Sequence, residues 1–447
     1  MIESLLIANR GEIACRVIRT ARRLGIRTIA VYSDADADLP HVSSADEAVR
    51  IGPAAAAESY ASPAALLAAT SASGAAAVHP GYGFLSENAA FARRVLAAGL
   101  TWVGPDPDVI ELMGDKVNAR NAAGRAGFPV SPGSTEPVPG EDAAAKLALE
   151  IGYPVMVKAA AGGGGMGMDT AADEAGLRAA LPRVQAFAER VFGRGDVLLE
   201  RFYPRARHVE IQLLGLADGT VIALGDRDCS VQRRHQKLAE ETPAPGIALS
   251  LRERMFSAAV RLGESVGYRN AGTVECLVSG DEFVFLEMNT RLQVEHAVTE
   301  EVLGLDIVEQ QLRIASGRPA SADLKAIRPE GHAIELRVNA EDPVRFLPGP
   351  GTITEWQPPA GPGVRVDAGY RAGNKVTPSY DSLLAKVIVH GHDRAEALRR
   401  AADAVAGFRI AGPKSNLAFF TELLDTPEFA SGQYDTGIVS RMRQRAS

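Results

Sequence analysis

Hydrophobic and polar positions near the start of the chain alternate between strand-like and helix-like periods. Ser4-Leu5-Leu6-Ile7-Ala8 reads as a short, fully buried strand. The next segment carries apolar residues at Ile13, Val17, Ile18, Ala21 and Leu24, closes at Gly25, and predicts a helix. Ile26 to Ser33 predicts a second strand, and the βαβ order implies a parallel α/β layer. Ala75 to Val78 predicts another strand, ending at His79-Pro80-Gly81-Tyr82-Gly83-Phe84. No G-x-G-x-x-G follows the first strand, so a dinucleotide site is not expected. Residues 105–139 read as a connector with one helix beginning near Asp115. Strand Val155–Lys158 runs into Ala159–Gly167, and Val197–Glu200 closes that small unit. From Arg207 the pattern is mostly strands, followed by one helix from about Thr299 to Ser316. The C-terminal section predicts strands His332–Asn339 and Leu384–Val389 and a helix Arg394–Gly407.

The most telling pattern is a hairpin. Thr273–Val278 and Glu282–Met288 both alternate, with Ser279-Gly280-Asp281 as the turn between them. A turn centred near Asp281 sets Glu275 across from Glu287, with Cβ atoms roughly 4.5–5.5 Å apart. Facing carboxylates repel, and a hard divalent cation reverses the sign of that interaction. Asn289 lies two residues on, on the same face, and offers a third oxygen suited to Mg²⁺ held with substrate phosphates. The alternative is a different register that leaves one Glu in solvent.

At 447 residues the chain predicts two to four domains, and its 46% hydrophobic, 23% charged composition is that of a globular protein. No apolar run is long enough to span a bilayer, and the N-terminal pattern is not that of a secretory signal. Cys15, Cys229 and Cys276 are too far apart for a disulfide framework or zinc site, which fits a reducing cytoplasm. A formal net charge of −7 argues against a nucleic-acid binder.

Further groups carry candidate chemistry. Lys158 followed by Gly162–Gly165 reads either as a mobile lid over a triphosphate or as a flexible linker. Asp115 caps a helix and puts Lys116 in its first turn, where the dipole disfavours a cation unless an anion binds. An ordinary surface lysine is the alternative. Asp228–Lys237 reads as a cationic loop, which matters only if it faces the carboxylate hairpin. Arg291 and Glu295 are either an anion-orienting guanidinium and a general base or a helical i,i+4 ion pair.

The order strand–Lys158–glycine lid, Glu200, basic segment, Glu275, Glu287-x-Asn289 resembles that of ATP-grasp ligases. Within them the chain resembles biotin carboxylase. The resemblance rests on Ala8-Asn9-Arg10-Gly11-Glu12-Ile13-Ala14, His79–Asn88, Met113-Gly114-Asp115-Lys116, Arg227–Lys237, Glu287–His296, Arg337–Glu341 and Pro378–Ser382, and covers essentially the whole chain. It implies a multidomain α/β and α+β fold. The expected parts are an N-terminal Rossmann-like (pre-ATP-grasp) domain, 1–112, an ATP-grasp region, 113–317, with a lid over about 130–203, and a C-terminal biotin carboxylase domain, 331–440.

The implied activity is carboxylation of biotin with ATP and bicarbonate, the first half-reaction of an acetyl-CoA or other acyl-CoA carboxylase in fatty acid biosynthesis. By resemblance, Lys116 and Lys158 contact ATP phosphates, and Gly164 and Gly165 supply lid amides. Glu200, Arg201 and Tyr203 form the adenine hinge, with His208, Gln232 and His235 near the nucleotide. Glu275, Glu287 and Asn289 hold Mg²⁺ or Mn²⁺. Lys237, Arg291, Gln293 and Val294 bind bicarbonate, Glu295 deprotonates it, Arg337 stabilises the biotin enolate and Asp381 supports the region of that arginine. Met166, Asp169, Arg201, Ala206 and Ala297 depart from the family pattern, which implies weaker ATP affinity or altered lid motion rather than lost chemistry. No Met-Lys pair occurs, so biotin is expected on a separate biotin carboxyl carrier protein, with a carboxyltransferase as the next partner. A homodimer is also implied. The competing readings are another ATP-grasp ligase and a non-catalytic regulatory subunit. Lys237, Glu295 and Arg337 favour the carboxylase.

Overall fold

A computed structural model describes residues 2–160, 167–234, 236–324 and 326–445. The N-terminal βαβ pattern folds as expected. Strands β1 (Ser4–Ile7), β2 (Arg27–Ser33), β3 (Glu47–Gly52), β4 (Ala77–His79) and β5 (Thr101–Trp102) form a parallel sheet in the order β3-β2-β1-β4-β5. β1 is buried throughout because both faces are covered: Leu5 and Ile7 pack with Ile13 and Val17, and Leu6 packs with Leu66 and Phe91. The chain order reverses between β1 and β4, and open α/β sheets bind ligands at the carboxyl ends of strands at such a point. There Asn9 donates from Nδ2 to the carbonyls of Pro80 at 2.8 Å and Tyr82 at 2.7 Å. Gly81 has φ +63°, and a Cβ on it would come within 2.8 Å of that Nδ2, so the turn needs glycine twice over.

A second, antiparallel sheet has the order β7-β6-β8, with β6 Val155–Ala159, β7 Met168–Ala171 and β8 Val197–Arg201. Helices Glu141–Ile151 and Glu174–Phe192 give it a core of its own, built on Val155, Val157, Leu177, Leu181 and Leu199. Because alternate residues of β6 face that core, Lys158 points to the opposite side.

The largest sheet contains β9 (Arg207–Gly215), β10 (Val221–Arg233), β11 (Gln236–Thr242), β12 (Asn270–Ser279), β13 (Glu282–Asn289) and β14 (His332–Asn339). Its order is β13-β12-β9-β10-β11-β14, continued by strands Leu383–Gly391 and Val364–Ala368. One hydrogen-bonded surface therefore carries strands from both the 113–317 and 331–440 stretches.

Three elements differ from expectation. The connector holds two helices, Pro107–Gly114 and Lys116–Arg125, the first capped by the Asp106 side chain with Pro107 in its first turn. The single helix expected over 299–316 is two, His296–Leu303 and Ile307–Ala315. Gly304 ends the first at φ +60°, and Asp306 caps the second while its carboxylate binds Arg16 at 2.8 Å and Arg23 at 2.7 Å. The Asp228–Lys237 segment is not a loop: it is the tip of the β10–β11 hairpin, which turns at Arg234 with φ +48°. Cys229, Val231, Leu238 and Ala239 are buried there, and that apolar pairing makes it strand.

Two stability tests follow from this packing. A Cβ on Gly215 would lie 2.0 Å from the Tyr268 carbonyl oxygen. Gly215→Ala should cost about 1–3 kcal/mol in urea unfolding. Gly407→Ala, where the nearest atom is 4.0 Å away, should stay within about 0.5 kcal/mol of the parent. The second concerns Glu241, bound by His332 at 2.6 Å and by Arg394 at 2.7 Å. Burial raises its pKa, but these partners outweigh burial and bring it down to about 2 from the ordinary 4.5. The resulting stability is present above pH 4.5 and lost as pH falls toward 2. Glu241→Gln should lower stability by roughly 3 kcal/mol at neutral pH and flatten the acid limb of guanidinium unfolding.

Candidate active site

The hairpin places Glu275 opposite Glu287, as the alternation implied. The route differs from the expected one. The turn is the two-residue Gly280-Asp281, with Ser279 paired to Glu282, and Leu286 is an extra residue in β13. That bulge restores the Glu275–Glu287 pairing. The same rung continues inward, Glu275 beside Glu210 of β9 and Glu210 beside Arg227 of β10. Three carboxylates thus lie in a row before the first cation.

Lys237, reaching over from β11, compensates them. Its Nζ lies 2.6 Å from Glu210, 2.8 Å from Glu275 and 2.6 Å from Glu295. Burial alone would lower the ammonium's pKa, but the surrounding acidic groups outweigh it and hold it well above the lysine range. Burial likewise pushes Glu275 and Glu295 up, and the cations reverse that. Lys237 and His208 bring Glu275 down, and Lys237, Arg337 and Arg227 bring Glu295 down. Arg337 lies 3.0 Å from Glu295. Arg291 binds Glu87 at 2.9 Å, Gln293 Oε1 at 2.9 Å and Asn289 Oδ1 at 2.7 Å, and the segment before His296 is not helical. An i,i+4 helical pair between Arg291 and Glu295 is therefore ruled out.

Two cavities meet at this rung. The larger, about 610 Å³, is lined by Lys237, Asn289, Arg291, Gln293, Val294 and Arg337, by Asn9 and Tyr82 of the loops after β1 and β4, and by Glu12 in the first turn of helix Gly11–Arg23. The smaller, about 170 Å³, is lined by Lys116, Lys158, Glu200 and Gln232. His208, Glu275 and Glu287 line both.

Lys116 sits in the first turn of its helix behind the Asp115 cap, and burial together with Lys158 pushes its pKa down. An ammonium at a helix N-terminus with a second, Lys158 of β6, crowding it suits a polyphosphate. Lys158 is ion-paired to Glu200. Gln232 Nε2 lies 3.3 Å from His208 Nδ1. Arg201 and Tyr203 line neither cavity: the guanidinium is exposed, 5.9 Å from the tyrosine ring centre. Asp381 lines the larger cavity but is 61% exposed and pairs with Arg10 at 3.6 Å, not with Arg337. It follows Tyr380, whose ring packs on Arg10, so its carboxylate falls to that guanidinium. Asp169 pairs with Arg183 at 2.7 Å. Gly164, Gly165, Met166 and His235 lie outside the described residues.

The carboxylate pair suits a hard cation. Glu287 reaches solvent at the cleft floor, yet crowding by protein and by Glu275 pushes its pKa up. A divalent ion between the two relieves that repulsion. The Asn289 oxygen joins such an ion only when Arg291 releases it.

Residues 1–110 match the family model for the biotin carboxylase N-terminal domain, 115–322 that for the carbamoyl-phosphate synthase L chain ATP-binding domain, and 335–441 that for the biotin carboxylase C-terminal domain. The biotin carboxylase of Pseudomonas aeruginosa is 49% identical over 97% of this chain and 96% of its own length. The chain belongs to the biotin carboxylase family. A Campylobacter jejuni biotin carboxylase solved as a β-γ-ATP complex superposes with TM-score 0.95 at 43% identity, covering 99% of both chains. The biotin carboxylase domain of Hydrogenobacter thermophilus 2-oxoglutarate carboxylase, solved with MgADP, ADP and bicarbonate, gives TM-score 0.94 at 42% identity over 99% of this chain and 98% of that one. A pyruvate carboxylase subunit of Methanothermobacter thermautotrophicus is 46% identical over 99% of this chain and 91% of its own. Like the family, the chain is an ATP-dependent ligase built on the ATP-grasp fold.

Sequence reasoning overlooked Glu210, Arg227, Glu240 and Lys386. Glu210 had a signal, the polar alternation His208-x-Glu210-x-Gln212 within an apolar strand. Lys386 Nζ donates to the Val294 carbonyl at 2.5 Å and so fixes one wall of the larger cavity.

Removing the central cation tests this account. Lys237→Met leaves Glu210, Glu275 and Glu295 buried without their shared partner. It should cost roughly 3–5 kcal/mol, read as a lower urea midpoint at neutral pH.

Proposed function

We propose that this chain carboxylates biotin, carried on a separate biotin carboxyl carrier protein, using ATP and bicarbonate by way of carboxyphosphate. The observation that carries this reading is the wall of His208, Glu275 and Glu287 shared by the two cavities. A triphosphate among Lys116 and Lys158 and a small planar anion among Lys237, Arg291 and Gln293 meet at that wall with their reacting ends together. Relatives solved with ATP-type ligands, magnesium and bicarbonate support the same pairing of substrates.

Bicarbonate is a poor nucleophile until it loses its proton, and Glu295 is the carboxylate that takes it. Its neighbours hold it anionic, which weakens it as a base. The same cations favour the dianionic carbonate over bicarbonate, which offsets that weakness. A carbonate oxygen then attacks the γ-phosphorus as the bond to ADP breaks, giving carboxyphosphate. Lys116 and Lys158 neutralise charge spread over the transferring group. A divalent cation, Mg²⁺ or Mn²⁺, held by Glu275, Glu287 and Asn289 supplies further neutralisation of phosphate charge. Carboxyphosphate breaks down to CO₂ and phosphate. The phosphate takes the ureido N–H proton, Arg337 stabilises the resulting enolate, and the nitrogen attacks CO₂.

Carboxybiotin then passes to a carboxyltransferase partner, which sets the acceptor, and we propose acetyl-CoA or another acyl-CoA. Relatives named for pyruvate, 2-oxoglutarate and methylcrotonoyl-CoA carboxylases indicate that this module serves several acceptors. We also propose a homodimer as the working form.

The test is ADP release by the purified chain with MgATP and bicarbonate, with and without free biotin. Biotin should stimulate release, and Glu295→Gln should cut the stimulated rate by roughly 10²–10⁴-fold while ATP still binds. ATP binding without biotin stimulation overturns the assignment.

A further inference from the structure

Glu240 on β11 and Glu335 on β14 are direct cross-strand partners, 1% and 0% exposed. Partners in an antiparallel pair project from the same face with Cβ atoms roughly 4.5–5.5 Å apart. Two ionised carboxylates so placed repel without water to screen them. Glu275 and Glu287 pose the same problem, but they open onto the cavities, where a metal ion can join them. Glu240 and Glu335 line neither cavity. Arg337 lies 2.5 Å from Glu240. The nearest cation to Glu335 is Lys386 at 3.8 Å, and that ammonium is already bound to the Val294 carbonyl. Neither oxygen of Glu335 has a hydrogen-bond partner among the described residues. An ionised carboxylate in that setting is costly, and a proton removes the charge.

We propose that Glu240 and Glu335 share one proton and serve as positioning residues for Arg337, with Glu240 anionic behind the guanidinium and Glu335 neutral. This rests on the biotin carboxylation reading above. One nitrogen of Arg337, Nη2, lies 2.5 Å from Glu240 and 3.0 Å from Glu295. When Glu295 takes the bicarbonate proton, Arg337 is left with one counter-charge instead of two, and its guanidinium is free to pair with an anion forming on biotin. Ionising Glu335 would put a second negative charge back beside Arg337 and weaken that pairing.

Burial pushes Glu335 well above the carboxylate range and raises Glu240 only to about 7, so above neutral pH Glu240 is the anion and the pair's last proton stays on Glu335. The groups facing the pair are Arg337 on β14, Lys237 on β11, Lys386 on strand Leu383–Gly391, Cys229 on β10 and Glu295. Burial keeps the Cys229 thiol protonated, and His296, on the adjoining helix, is held neutral by burial and by Lys386.

The first test is infrared spectroscopy of the full chain near neutral pH, comparing the parent with Glu335→Gln. The parent should show a protonated-carboxyl carbonyl band that the variant lacks. If Glu335→Gln fails to fold, Glu335→Met, of similar volume and no charge, replaces it in the same comparison. An unchanged band overturns the shared proton.

The second test is the pH profile of kcat/KM for biotin-stimulated ADP release. The parent should decline at alkaline pH as the pair loses its last proton, whereas the variant has none to lose. The ratio of kcat/KM at about pH 9 to that at about pH 7 should be at least roughly threefold higher in the variant. Superimposable profiles overturn the positioning role. Absence of biotin stimulation in the parent overturns the carboxylation reading but leaves the infrared result standing.

Discussion

The cleft depends on one ammonium group gathering three buried carboxylates. Glu210, Glu275 and Glu295 come from β9, β12 and the segment after β13, and Lys237 from β11 is what they have in common. At an effective dielectric near 20, each contact at about 4 Å is worth roughly 4 kcal/mol, and these are shorter. Against that stands the desolvation of every charge involved, so the arrangement serves placement more than stability. The same attraction fixes protonation: Lys237 stays charged and Glu295 stays a carboxylate. The proposed base is thus held in its proton-accepting form, at the expense of strength.

Around that cluster the eight-stranded sheet acts as a common floor. The hairpin at one edge brings Glu275 and Glu287, and β14 brings Arg337, so that carboxylate pair and that arginine belong to one hydrogen-bonded surface. The parallel N-terminal sheet contributes differently. Its switch point delivers Asn9 and Tyr82 from loops and Glu12 from the first turn of helix Gly11–Arg23, and the Tyr82 hydroxyl donates to Glu12, which lies 3.5 Å from Lys386. Val294 is held by that same lysine. A chain of contacts thus runs from the loop after β4 to the Val294 wall of the larger cavity.

The elements read most directly from sequence were those with strong local periodicity. His332–Asn339 and Arg394–Gly407 form with the expected bounds, and the Glu275–Glu287 pairing holds. What sequence concealed depended on long-range register. Glu210 lies on a polar strand face that looks solvent-exposed until Arg227 and Lys237 arrive from elsewhere to cover it. Asp381 could not be assigned a partner because Arg10 is 371 positions away. The β10–β11 tip looked like a basic loop because its charges outnumber its apolar residues, yet burial of the latter decides its form. The break at Gly304 was hidden because apolar spacing continues through it. Only Asp306, claimed by Arg16 and Arg23, shows why the chain stops and restarts.

The bulge at Leu286 has an evolutionary corollary. Side chains on a strand alternate faces, so β13 presents Glu287 to the cleft by virtue of one supernumerary residue between it and the turn. This part of the site is encoded by length as well as by composition. A substitution along the hairpin changes one side chain, whereas a single-codon deletion there would invert the inward and outward faces beyond it. Gaps should therefore be far rarer than substitutions across 275–289, a frame constraint that acts on the gene rather than on any one amino acid.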